Sequence, residues 1–160
     1  ASVALLSLAV DRSEVDHELD GTGFLVPRPE GRTVTACSWA TSKWAHLGAA
    51  EGRVWLRVSV GRDGDDSALA LPDEALVDAV AADLAEMMGL QGRPDEARVS
   101  RWDASLPQYR PGHLERMDAV DAELAALDPT LVVTGAALRG IGVPACIRQG
   151  RAAARLVAER

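Results

Sequence analysis

Three kinds of residue in this chain could act on a ligand: clustered glycines ahead of a helix, a few aromatics, and ionisable groups able to bind metal or attack. The glycines are the most informative. Gly135, Gly140 and Gly142 lie between an apolar run at 131–133 and a helical pattern beginning near Pro144. Glycine at such a place permits positive φ and close backbone approach to a ligand. The start of the following helix offers unpaired N–H groups and partial positive charge. A phosphate, or the electron-rich edge of a reduced flavin, suits that environment. The chain contains neither a Gly-x-x-x-x-Gly-Lys-Ser/Thr loop nor a Gly-x-Gly-x-x-Gly turn, and spacing alone favours a tight strand-to-helix turn with no ligand.

The second group is Arg101-Trp102-Asp103-Ala104-Ser105-Leu106-Pro107-Gln108-Tyr109, followed by Pro111-Gly112-His113. Four Trp, one Tyr and one Phe make up the aromatic inventory, so a Trp leaving a strand beside Pro-Gln-Tyr is conspicuous. It could stack on a flat ligand, although the bare pattern fits a Trp at the rim of a core better. The ionisable groups say less. His17, His46 and His113 are far apart and show no metal-ligand spacing, which points to structural or surface roles. Asp63, Asp65 and Asp66 lack the remaining positions of a calcium loop and read as solvated. Cys37 and Cys146 read as core residues, and no nucleophile elbow is present. No metal site and no catalytic acid or base is expected.

These residues need elements to hold them. Residues 2–10 read as a strand buried on both faces. Gly21-Thr22-Gly23 opens a second extended run, Phe24-Leu25-Val26, stopped by Pro27 and Pro29. A turn at Glu30-Gly31 leads into a third strand to Trp39, so the pair should form an antiparallel hairpin. Val54, Leu56, Val58 and Val60 alternate with Arg53, Trp55, Arg57 and Ser59, the clearest period of two in the chain. The period then changes. Leu76, Val80, Leu84 and Met88, with Val77 and Met87, make one helical stripe. Asp73 and Glu74 suit its start, and Gly89 its C-cap. Residues 97–102 form a further strand. Leu114, Met117, Val120, Leu124 and Leu127 mark a second helix, ending before Asp128-Pro129. Leu131-Val132-Val133 reads as a short strand, and a last helix runs from about Pro144 to Val157, with Pro in its first turn. Gly150 inside that helix suggests close packing on a neighbour. The order of elements implies an α+β fold: a mainly antiparallel sheet with helices on it, then one β-loop-α unit.

Composition bounds the function. The chain has 160 residues, 48% hydrophobic and 26% charged, which suits a globular fold with its own core. Its net charge of -7 argues against nucleic acid as a partner. Two cysteines outside any Cys-x-x-Cys spacing fit a reducing cytoplasm. The chain opens on a strand-like run without Met, which suggests a preceding segment.

At these residues the sequence resembles a known family. The pieces are Gly21-Thr22-Gly23-Phe24-Leu25-Val26-Pro27, Thr35-Ala36-Cys37-Ser38-Trp39 with Ser42-Lys43-Trp44, Arg101-Trp102 with Leu106-Pro107-Gln108-Tyr109, Gly112-His113, and the block from Gly135 to Gly150. Together they resemble the C-terminal portion of the FAD-dependent proto- and coproporphyrinogen oxidases of haem biosynthesis, within the flavin-containing amine oxidase superfamily. The resemblance implies a fragment in which residues 1–127 are the latter part of a substrate-binding domain. Residues 130–160 would then be the strand, loop and helix that return to complete an FAD-binding domain. Its partners would be a porphyrinogen, O₂ and the N-terminal FAD-binding half. Trp102 matches the Trp beside the flavin, and Ile141, Gly142, Val143 and Pro144 match the segment running past the flavin ring. Thr22 matches a substrate-facing position, where a small polar residue favours the more polar coproporphyrinogen. The intact enzyme would be cytoplasmic, with peripheral membrane contact left open; the fragment alone would be inactive. Two other readings stay open: a related flavin amine oxidase or desaturase, and a standalone module that has lost the flavin.

Overall fold

The computed structural model describes residues 1–47 and 52–159. It divides into two compact units, Ala1–Ser105 and Leu106–Arg160, each described by itself. The division expected at 127/130 is a functional one, between roles in a longer protein, and compactness within this chain does not bear on it.

The first unit is a five-stranded antiparallel sheet in the order β2-β3-β4-β1-β5. Its strands are β1 (Val3–Asp11), β2 (Gly23–Leu25), β3 (Val34–Trp39), β4 (Arg53–Val60) and β5 (Glu96–Trp102). The expected hairpin is the β2–β3 pair, and the period-two run is β4. One face of the sheet carries the core. Ala4, Leu6, Leu8 and Val10 of β1 join Val54, Leu56, Val58 and Val60 of β4 in one buried cluster. The helix Asp73–Met88 packs Leu76, Val77, Val80, Leu84 and Met88 into that cluster. Each such side chain contributes about 1.5–3 kcal/mol by leaving water.

The opposite face of β1 is buried only in part: Ala9 is fully buried, but Ser7 is exposed and Leu5 half-buried. Alternation wins over the apolar run, because an antiparallel sheet needs only one covered face. In β3 a bulge between Val34 and Ala36 shifts the alternation, so that Val34, Cys37 and Trp39 all point into the core. The long helix ends as its sequence implies. Gly89 adopts φ 67° and ψ 37°, and its N–H returns to the carbonyls of Ala85 and Leu84. A Cβ there would lie 2.7 Å from Asp16, so both conformation and space require glycine. Asp83 ties this helix to the sheet by accepting the Val34 N–H at 2.9 Å and pairing with Arg32 at 3.5 Å. A four-residue helix, Ala40–Lys43, follows β3. With it as α1 and Asp73–Met88 as α2, the helices number in chain order.

The second unit holds α3 (His113–Leu127), α4 (Ala136–Arg139) and α5 (Val143–Ala158). Neither α3 nor α5 has a buried residue. The strand expected at 131–133 is irregular, because a strand exists only as part of a ladder and the described residues of this unit include no other strand. α4 is a single turn absent from the sequence-based expectation. Gly150 lies within α5 with nothing within 4 Å of a would-be Cβ, so the expected close packing does not occur among the described residues.

Candidate functional site

The three clustered glycines separate into two kinds. Gly135 and Gly140 have φ of 144° and 124°, conformations that a side chain resists. At Gly140 a Cβ would also sit 2.8 Å from the Ala145 Cβ. These two flank α4 and set the turns into and out of it. Gly142 differs from the expected positive φ. It is the N-cap of α5, at φ −70° and ψ 144°, a conformation open to any residue. The nearest atom to a Cβ would be Pro144 Cδ at 3.9 Å. Nothing among the described residues requires glycine at 142.

The backbone beside it is equally open. Ala145 and Cys146 donate their N–H groups to the Gly142 carbonyl at 2.9 and 3.0 Å, and Pro144 has none. The N–H groups of Ile141, Gly142 and Val143 find no acceptor among the described residues. Val143 is 72% and Ile141 51% exposed. A bare Cα, three free donors and the positive end of a sixteen-residue helix therefore coincide, an arrangement suited to the electron-rich edge of a flat ring.

Two aromatic side chains hold the turn that leads into this helix. Tyr109 Oη donates to the Ala136 carbonyl at 2.5 Å and accepts the Gly140 N–H at 2.6 Å. His113 Nε2 lies 2.7 Å from the Leu138 carbonyl, and since a carbonyl only accepts, Nε2 carries the proton. The two rings stack at 4.0 Å with 10° between planes. Gln149 of α5 adds a bond from Nε2 to the Gly140 carbonyl at 3.3 Å. Arg139 at the end of α4 pairs with Asp118 and Asp121 of α3 at 2.7 and 2.6 Å. Hydrogen bonds to Asp118 and then Asp121 raise its proton affinity further. Sequence reasoning gave Tyr109 and His113 no part in this turn. The signal available was their own spacing: four apart across Pro111-Gly112, with Gly112 at φ 75° capping α3, so that both rings meet at the helix start.

Beside the turn, α3, the 129–134 segment and α5 line an apolar groove of about 390 Å³, with Val120 and Leu124 on one side and Ala153 and Leu156 on the other.

In the first unit, Trp102 ends β5 with its side chain half exposed, opposite Val3. Thr22 is exposed just before β2, and its carbonyl accepts the Trp39 N–H at 3.0 Å. These positions are at opposite edges of the sheet. Thr22 is level with the row Trp39, Leu56, Leu8 and Ala97, whereas Trp102 lies five residues further along β5. Ideal sheet spacings put them roughly 25 Å apart, too far for one small ligand to touch both. Neither cysteine is an evident nucleophile. Burial pushes the Cys37 thiol up to about 12, and the Cys146 sulfur faces the Gly140 carbonyl at 3.6 Å.

Comparison with known proteins places the chain in a family. A family described as flavin containing amine oxidoreductase matches residues 1–158. Coproporphyrinogen III oxidase of Bacillus subtilis (strain 168) is 40% identical over 152 residues, 95% of this chain and 32% of that protein. The protein of the same name from Staphylococcus aureus (strain NCTC 8325 / PS 47) is 38% identical over 156 residues, 98% of this chain and 33% of that protein. A crystal structure from Exiguobacterium sp. 255-15, provisionally assigned as a protoporphyrinogen oxidase, superimposes with a TM-score of 0.81 at 31% identity. It is matched over 99% of this chain and 35% of its own. The chain thus spans about a third of the length of the curated relatives it matches.

Proposed function

Because this chain belongs to the flavin containing amine oxidoreductase family, we propose that it is part of a longer FAD-dependent oxidase that converts coproporphyrinogen III to the porphyrin, with O₂ as acceptor. Residues 1–127 contribute to the substrate-binding domain and 130–160 to the FAD-binding domain. The rest of the FAD site comes from the remainder of the longer protein, and the work is done in the cytoplasm. The observation that carries the reading is the α5 N-terminus, where a glycine that its own backbone does not require sits among three free N–H groups. The residues present fit a flavin ring edge.

A flavin bound there supplies the two-electron acceptor that the protein's own side chains lack. The chain's residues bind and orient. The donors at 141–143 and the helix dipole favour negative charge at the ring edge. Trp102 would contribute to the flavin's environment, and Thr22 to the substrate wall. No side chain is assigned a proton-transfer role. The separation of Thr22 and Trp102 across the sheet supports this division between two ligands. Preference for coproporphyrinogen over protoporphyrinogen is supported by the small polar Thr22 and by the names of the relatives at 38–40% identity. In the test, the full-length protein is loaded with FAD and assayed for peroxide with coproporphyrinogen III, protoporphyrinogen IX and an aliphatic diamine. Turnover fastest with coproporphyrinogen III is expected. Oxidation of the diamine with neither porphyrinogen consumed would refute the reading.

A further inference from the structure

We propose that Tyr109 and His113 are positioning residues that set the reduction potential of the flavin, acting through the 136–140 turn. The inference rests on the reading that the α5 N-terminus faces the flavin. The turn is flanked by Gly135 and Gly140, whose backbone conformations a side chain resists. What fixes it is a set of side-chain bonds to its backbone. Tyr109 Oη takes the Ala136 carbonyl and the Gly140 N–H, and His113 Nε2 takes the Leu138 carbonyl. Because the rings stack at 4.0 Å, the three bonds act from one rigid body.

Gly140 is the residue directly before the free N–H groups at 141–143, so its height and tilt are passed straight to those donors. Stabilisation of developing charge depends on donors held within about 0.5 Å of their productive place. A bracket that fixes Gly140 therefore governs the reduced, electron-rich flavin more than the oxidised one. A hydroxyl suits this place because it both gives and accepts: Ala136 and Gly140 are drawn to one oxygen, which closes the turn around it.

The test uses the full-length protein and Tyr109→Phe, which keeps the ring and its stack but removes two bonds. In the flavin-free form, amide exchange at Gly140 should accelerate at least tenfold. In the loaded form the bound flavin's potential should fall. A tenfold selective loss of the reduced form reads as about 30 mV for a two-electron couple. His113→Gln, which retains an N–H donor at similar reach, should keep the potential close to the parent value, whereas His113→Ala should lower it. Should Tyr109→Phe reduce the melting temperature yet leave the potential unchanged, the bracket is structural only and the proposal is overturned. Gly142→Ser, measured in parallel, separates the two claims. If it impairs flavin binding while Tyr109→Phe leaves the potential unchanged, this inference fails and the site stands. If neither variant affects the flavin, both fail.

Discussion

Replacing Gly142 by Ser should strengthen the fold and weaken the flavin site. At φ −70° and ψ 144°, with the nearest atom to a new Cβ at 3.9 Å, serine enters without strain. Giving up glycine's freedom in the unfolded chain stabilises by about 0.4–1 kcal/mol. Serine at the N-cap can also accept the Ala145 N–H, worth a few tenths more. A gain of roughly 1 kcal/mol should raise the melting temperature of the flavin-free protein by a few degrees. Gly140→Ala is the matched control. Its φ of 124° and the 2.8 Å approach to Ala145 should cost about 1–3 kcal/mol. If the bare Cα at 142 exists for close approach of the ring, the serine side chain stands in the ring's way. A tenfold loss of flavin affinity, about 1.4 kcal/mol, is then a minimum. The assay pairs thermal melts of the flavin-free protein with titration of flavin back into it. Affinity within twofold of the parent, or a melting temperature as low as that of Gly140→Ala, would refute the argument.

Trp102→Ala should reduce flavin retention and shift the flavin absorption band, and a parent-like spectrum at full flavin content would remove Trp102 from the site. The 160-residue chain by itself should bind FAD weakly and produce no peroxide, since its sequence holds no glycine-rich turn for the pyrophosphate; submicromolar binding by calorimetry would contradict this. Cys37, with its thiol pushed up to about 12 by burial, should resist iodoacetamide at pH 9 in the native protein, and quantitative alkylation there would show that the core opens readily. Because this value is raised above the ordinary thiol value of about 8.5, the stability linked to Cys37 is full below that pH and declines as pH rises toward 12; urea midpoints that rise above pH 9 would contradict the assignment. Asp83→Ala, which leaves the Val34 N–H without its acceptor, should cost about 1–3 kcal/mol, and a loss below about 0.5 kcal/mol in urea denaturation would assign the contact no weight.

The parts of the fold that could be read beforehand are those whose signal is local. The stripe 76/80/84/88 is α2, Gly89 is its left-handed cap, and the alternation at 54–60 is β4 with its apolar face inward. What could not be read depends on partners distant in sequence. Leu131-Val132-Val133 has strand composition, but a ladder needs a second strand, and composition says nothing of one. The bulge in β3 turns Val34 and Cys37 to the same side, a register fact set by β4. The glycines were legible as a group and not individually: only φ separates Gly135 and Gly140, which the turn requires, from Gly142, which it does not. In the sequence Tyr109 stands out only through its neighbours, while its two partners lie 27 and 31 residues away.

The two units solve the problem of rigidity differently, and that difference bears on the site. In the first, Leu6, Leu8, Leu56, Leu76 and Leu84 are fully buried, so the sheet that carries Trp102 and is preceded at β2 by Thr22 is fixed by packing that a single surface substitution barely disturbs. In the second, neither α3 nor α5 buries a residue, and the turn ahead of α5 is held by Tyr109, His113 and Gln149. Each such bond nets only about 0.5–1.5 kcal/mol, and bonds cooperate only while their geometry is shared. A conservative change such as Tyr109→Phe can therefore move the donors at 141–143 without unfolding anything. The same substitution size in the first unit, Leu6→Val for instance, would be felt as stability and not as position. Apart from Trp102, sensitivity of the flavin to point changes should accordingly be concentrated in 106–160, and, apart from Gly140, sensitivity of the melting temperature in 1–105.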